Sequence, residues 1–482
     1  MASEAHNLVG GEIVGGEAYP IFNPANFGAE VGVGRRADSA LVDQAVDAAD
    51  QAARLWAGTP LDARKRALQA GHDALLAAAQ REGWDRLLTL EQGKVISESR
   101  MEIGLALRRI GFVASIAEEA LAEQTLEDAR GRRITLFEPL GVVAIITPWN
   151  WPVLLTVSKV IPALLAGNAV VVKPAPNTPL VITRLLTVLA RALPPGVLSV
   201  VHGEADIGAA LVSHRKVRKV NFTGSMASGR KVYASAAGNV KDLTLELGGN
   251  DAAIVLEDAE FRPEMISRML TAAFATSGQV CMAIKRIYVH EARHDELRDA
   301  LLAAAGRYVV GDGLNPDVNF GPLNNRAQYE RVLGLIAAAQ AGGATLAPAG
   351  SRDPGLDWEA GYFIQPTIAT EVDDRMELVT DEQFGPVIPL LRFRTEDEAV
   401  ARANDSEYGL TGSVWGSDLD RAFEVGKGLS AGAVSVNAHG VGTLDQMLAF
   451  GGVRQSGLGR QGAVEGLRAF TNQRYVHNRG PA

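Results

Sequence analysis

Cysteine is nearly absent from this chain: among 482 residues there is one, Cys281. That excludes an intrachain disulfide framework and a cysteine-based structural zinc site. Basic runs are also missing, and the formal net charge is −9, which argues against a nucleic-acid footprint. Met1 to Asn7 is polar and has no apolar core behind a basic start, so no secretory signal is expected. The longest charge-free stretch, Leu140 to Ser158, approaches the length of a membrane span, but Pro148, Asn150 and Pro152 sit in its middle. They break a helix and leave polar groups that lipid could not satisfy. A buried strand, a loop and a helix start are expected there, in a cytoplasmic protein. No Gly- or Ser-rich linker and no internal repeat divides the chain.

What is there is ordinary globular composition, 47% hydrophobic and 21% charged, in a 51.0 kDa chain too large for one core. Short β-like runs fill residues 1–36. From Asp38 to about Glu123 the period is helical: Leu41, Ala45, Ala48, Ala49 and Ala52 share one face, and Leu68, Leu75, Leu76 and Ala79 repeat the pattern. From Arg132 onward, short apolar strands such as Gly141–Thr147, Ala169–Lys173, Lys219–Phe222 and Leu243–Leu247 alternate with amphipathic helices. That pattern predicts βαβ units and a buried parallel sheet. A second alternating region has helices at Pro263–Ser277, His294–Arg307 and Ala327–Ala341 and strands at Arg286–His290, Ile388–Phe393, Gly412–Trp415 and Ala433–Val436. Gly466 to His477 ends in a polar strand-like run.

A lone intracellular cysteine is usually an inert buried residue. Cys281 has notable company: Glu246 in Leu245–Asn250 and Asn150 in Thr147–Pro152. A thiolate, a carboxylate base and an amide donor are the parts of covalent acyl chemistry. Phe222-Thr223-Gly224-Ser225 ends a strand and opens a helix, an N-terminus suited to a pyrophosphate, with Gly229 further along it. Lys173 ends another strand, where ligands of open α/β sheets gather. Two motifs are decoys. His290-Glu291-Ala292-Arg293-His294 spells a zinc pattern, yet His290 ends a strand and the helix begins only near His294, so no metal is expected. Gly457-Leu458-Gly459-Arg460-Gln461-Gly462 spells a dinucleotide fingerprint, but no apolar strand precedes it, and a loop is expected. A cysteine–histidine hydrolase pairing Cys281 with His439 is the other use of the thiol, without a local protease signature.

Taken together, the Pro-Trp-Asn loop, the Lys-Pro strand end, Phe-Thr-Gly-Ser, Glu-Leu-Gly-Gly-Asn, Gly-Gln-x-Cys and Glu382-Gln383-Phe384-Gly385-Pro386 resemble the aldehyde dehydrogenase superfamily, from about Phe22 to Tyr475. The resemblance implies an α/β fold with a Rossmann-like coenzyme domain (1–121 and 141–247), a catalytic domain (248–465) and a small β bridging element (122–140 and 466–482) that makes homodimers or homotetramers. It implies Cys281 as nucleophile on a small-molecule aldehyde, and the Asn150 amide with the Cys281 backbone N–H for the oxyanion. Glu246 would activate water and Lys159 would assist proton removal. The coenzyme would be held by Thr147, Trp149, Lys173, Gly224, Ser225, Gly229, Glu382 and Phe384.

Pro176 replaces a glutamate usual in NAD-preferring relatives, so NAD is expected with NADP open. Gln461 stands where many relatives have glutamate, which puts a proton relay ending there in doubt. Glu246 favours hydrolysis over transfer to coenzyme A. Trp151, Leu155, Ser158, Val280, Met282, His439 and Gly442 are expected at the substrate pocket. Without a cation among the tunnel positions, an uncharged, medium-sized or bulky aldehyde is expected. A carboxylated or amino aldehyde is the alternative, and a non-catalytic nucleotide-binding scaffold the reading from another class.

Overall fold

Strand Val142–Ile146, uncharged and rich in β-branched residues, is buried along its whole length at the centre of an eight-stranded sheet. In the computed structural model, which describes residues 3–478, it is flanked in parallel by Val217–Thr223 on one side and Ala169–Lys173 on the other. Leu198–Val200 and Asp242–Glu246 extend the parallel core outward. Numbered along the chain, these five strands lie in the order 3-2-1-4-5, the doubly wound arrangement. Antiparallel Asn7–Val9 and Glu12–Val14 close one edge, and Gly457–Leu458 closes the other. The first two residues of the second decoy motif are therefore an edge strand, and Gln461 further on bridges to Phe450.

Eleven helices matter for the site: α1 (Ser39–Ala57), α2 (Leu61–Glu82), α3 (Trp84–Gln92), α4 (Ile96–Leu121), α5 (Pro152–Leu165), α6 (Leu180–Ala190), α7 (Ala205–Ser213), α8 (Met226–Ala237), α9 (Pro263–Phe274), α10 (His294–Ala305) and α11 (Arg326–Ala341). The expected face of α1 is buried except at half-covered Ala48. In α2 the inner face runs Leu68, Leu75 and Ala78, while Leu76 points to solvent. Six apolar residues in a row, Ala74 to Ala79, leave the phase of the period open, and packing against α6 selects it.

The chain leaves the first sheet at Glu246 and enters a second at Asp251, through Leu247-Gly248-Gly249-Asn250 alone. The second sheet has seven strands in the order Thr345–Pro348, Thr367–Thr370, Val387–Phe393, Ile284–His290, Asp251–Val255, Thr411–Trp415 and Ala433–Val436. The central Asp251–Val255 is missing from the sequence expectation, because it follows the glycine motif without a turn signal of its own. Helix α9 stops at Phe274, short of the expected Ser277. Likewise, the C-terminal run is a helix at Ala463–Arg468 and a strand only from Thr471 to Asn478.

That last strand pairs with Gly131–Pro139, which pairs with Gln124–Asp128, in a separate three-stranded sheet. Residues 1, 2 and 479–482, at the outer ends of two expected segments, lie outside the described residues. No helix among the described residues is long and apolar enough to cross a membrane.

Candidate active site

The strand order of the first sheet reverses between Val142–Ile146 and Val217–Thr223, and their carboxyl ends open a crevice. Trp149 and Asn150 follow the first strand; Gly224 and Ser225 follow the second. Ser225 caps α8, its hydroxyl accepting the Ser228 N–H at 3.3 Å, and the first turn of α8 carries no acid. These residues, with Cys281, Glu382 and Phe384, line one cleft of about 410 Å³. The Trp149 and Phe384 rings meet edge to face at 5.5 Å. Gln328, Arg331 and Tyr408 complete the rim and carry no motif that would have announced them.

Cys281 is delivered by a strained turn. After α9, Thr276, Ser277 and Gly278 all take positive φ, of 51°, 56° and 77°. Two non-glycine residues in succession there are costly, and surrounding bonds hold them. The Ser277 hydroxyl donates to the Gly321 carbonyl at 2.7 Å, and the Thr276 N–H donates to Glu98 at 2.7 Å. The thiol is half-buried, and burial pushes its pKa up to about 12, against the pull of Lys285. Lys285, also unforeseen, is buried beneath the turn. It donates to the carbonyls of Val280 (2.8 Å), Cys281 (3.2 Å) and Gly249 (3.3 Å) and lies 3.4 Å from Glu382. Gly249 must be glycine, since a Cβ there would stand 2.6 Å from the Cys281 carbonyl oxygen.

The Asn150 amide donates to the Gln279 carbonyl at 2.8 Å, leaving its second N–H unspent, and its Oδ1 has no partner. Behind it, Lys94 donates to the Asn150 carbonyl at 2.7 Å and to Glu102 at 2.5 Å, both side chains fully buried. Glu102 in turn accepts the Val153 and Leu154 N–H groups that begin α5. The loop bearing Asn150 is thus fixed by an ion pair from α4 and the turn before it.

Glu246 and Lys159 form a second buried pair whose charges act on each other and on Cys281. Burial pushes the Glu246 carboxyl up to about 8 and pulls Lys159 down to about 8, with their mutual attraction opposing both. One Glu246 oxygen, Oε1, has no partner. Lys159 donates to Gln461 at 3.3 Å, so the glutamine keeps a hydrogen bond to this group.

Not every expected site residue converges here. Gly229 faces Leu247, where a Cβ would meet the leucine at 2.5 Å, so it lets α8 pack on the sheet rather than bordering the cleft. The buried Thr147 hydroxyl is the acceptor of the Thr156 hydroxyl at 3.0 Å. Lys173 lies apart from the cleft, buried at 3.3 Å from the Pro174 carbonyl, and its pKa is pulled down to about 8 by burial against Glu204 and Asp206. His439 is spent inside the second sheet: its ring nitrogens meet the Ser413 hydroxyl at 2.8 Å and the Thr411 hydroxyl at 3.3 Å. Both ring nitrogens are thus occupied within the sheet. Trp151, Val280, Met282 and Leu155 do cluster around Cys281, although the Trp151 indole N–H is held by Thr276 at 3.1 Å. Ser158 is half-buried on α5, and open space surrounds Gly442. His290 closes a strand while buried His294 opens α10, which separates the two histidines of the zinc-like pattern.

Residues 13–476 match the model of the aldehyde dehydrogenase family. The chain belongs to that family. This aldehyde dehydrogenase is 36% identical to the geranial dehydrogenase of Castellaniella defragrans, over 98% of each chain. It is equally 36% identical to an NADP(+) succinate-semialdehyde dehydrogenase of Escherichia coli, over 96% of this chain and 94% of that one. The crystal structure of a Staphylococcus aureus betaine aldehyde dehydrogenase in complex with NAD+ superposes with a TM-score of 0.93, at 30% identity, covering 100% and 96% of the two chains. The enzyme carries out NAD(P)-dependent aldehyde oxidation.

Proposed function

We propose that the enzyme oxidises its aldehyde to the carboxylic acid through a covalent intermediate on Cys281. The observation that carries this reading is the convergence of Cys281 and Asn150 on one cleft, with the Glu246–Lys159 pair acting electrostatically on the thiol. Cys281 gives up its proton to the buried Lys159 amine as its sulfur attacks the aldehyde carbon, and the thiohemiacetal oxyanion is met by the unspent Asn150 N–H and the Cys281 N–H. Losing one such donor typically costs about 3 kcal/mol. The NAD(P) coenzyme, when bound, supplies the hydride acceptor. Glu246 then takes a proton from the water that hydrolyses the thioester.

The cleft fits a dinucleotide. It offers the capped N-terminus of α8, the Trp149 and Phe384 rings, the Glu382 carboxylate and a buried Thr223 hydroxyl without a partner. NAD is favoured over NADP although Pro176 lacks a carboxylate. Exposed Glu204 acts on Lys173 and lines a cavity with Pro176, and its negative charge would repel a 2′-phosphate held at Lys173. Thr147 and Lys173 would support the coenzyme from the strand ends. Residues 1–121 with 141–247 serve as coenzyme domain and 248–465 as catalytic domain. The segments 122–140 and 466–482 join subunits of a cytoplasmic homodimer or homotetramer. The walls around Cys281 are apolar, which suits an aldehyde with a hydrocarbon body of medium size.

The test is reduced-coenzyme formation by wild type and Cys281→Ala with NAD+ and NADP+. Turnover faster with NAD+ and abolished in the variant, while coenzyme still binds, is expected. Equal turnover in both proteins would remove the cysteine mechanism.

A further inference from the structure

We propose that Arg109 and Gln446 form the far end of the aldehyde pocket and select substrates that carry a carboxylate or comparable anion opposite the aldehyde. The proposal rests on the assignment of Cys281 as nucleophile. Two elements build both the apolar wall and its polar end. Helix α4 gives Leu105 to the cluster around Cys281, and Arg109 lies four residues on, one turn along the same face. The loop after Gly440 gives Val441 and Leu444 to that cluster. From the same loop Gln446 accepts a hydrogen bond from Arg109 Nη1 at 3.1 Å.

Arg109 is half-buried, and no carboxylate pairs with it among the described residues. A neutral amide oxygen leaves most of the five guanidinium donors unspent, and their planar fork matches a carboxylate. Burial without a counter-charge lowers the Arg109 pKa, and its positive charge reaches Lys159, whose pKa it lowers further. An incoming anion would relieve both. Neither group lies in a motif, which is why the tunnel positions read from motifs held no cation. The hydrocarbon walls remain as expected, but the distal group of the substrate becomes anionic, and a cationic aldehyde would be repelled.

The decisive measurement compares aldehydes of about four to six carbons that end in a carboxylate with the unsubstituted aldehydes of equal length, in wild type, Arg109→Leu and Arg109→Lys. Wild type is expected to favour the carboxylated series. In Arg109→Leu the ratio of kcat/KM, carboxylated over unsubstituted, should fall about 10- to 100-fold, as for loss of a hydrogen bond to a charged group. KM should carry most of that change, with partial recovery in Arg109→Lys. Parallel loss on both series, or an unchanged ratio, would overturn the subsite and leave the Cys281 reading intact. No turnover of any aldehyde by wild type would instead sink the Cys281 reading.

Discussion

At the scale of single residues, the Glu246–Lys159 pair sets the most direct expectation. Burial holds the Glu246 carboxyl protonated up to about pH 8, so the form able to take a proton from water grows as pH rises. Acyl-enzyme hydrolysis should therefore climb between roughly pH 7 and 9 and then level off, with a midpoint near the shifted pKa. In Glu246→Gln, stopped-flow traces should show one equivalent of reduced coenzyme per chain, followed by a steady state slowed roughly 10²- to 10⁴-fold. A variant with normal steady-state turnover would remove Glu246 from the hydrolytic step. Cys281, Asn150 and Glu246 could be named as candidates because each sits inside a short motif whose chemistry is local. The surroundings of Gly229 and His439 could not be read, for the opposite reason. Their environments, Leu247 for one and Ser413 with Thr411 for the other, are set by packing of distant segments. Lys285 carries a charge that only the folded chain brings to the thiol, as it brings that of Arg109 to Lys159.

Among elements, the hinge of the site is the contact between α4 and the start of α5. Lys94 and Glu102 neutralise each other without water and together fix the Asn150 loop. Lys94→Met should leave a buried carboxylate uncompensated and cost about 3–5 kcal/mol, read as a lowered denaturation midpoint. Adding Glu102→Leu should recover part of that loss, because the stranded charge is removed. An unchanged midpoint in the single variant would mean that the pair contributes nothing net to folding. The helices themselves were readable from their period, and the strands of the first sheet from their short apolar runs. The ion pair between them was not, since a lysine before α4 and a glutamate within it look like any solvated charges. Strand Asp251–Val255 escaped for a related reason: its place at the centre of a sheet is decided by partners far along the chain.

For the whole molecule, the three-stranded sheet stands apart from both larger sheets and leaves Leu126, Tyr475 and Val476 exposed. Among the described residues no further strand pairs with its outer strands, and natural proteins rarely leave such edges uncovered. A second copy is the expected cover. Sedimentation should give a dimer or tetramer for wild type and a weaker assembly for Tyr475→Asp; a monomeric wild type would remove the bridging role.

The solitude of Cys281 reaches beyond catalysis. With no other thiol in the chain, a sulfenic acid formed on it by peroxide has no internal partner with which to close a protective disulfide. Rescue depends on a small external thiol entering the cleft before a second oxidation makes the damage permanent. The enzyme's lifetime under oxidative stress is therefore set by the traffic of small thiols through the aldehyde's own doorway.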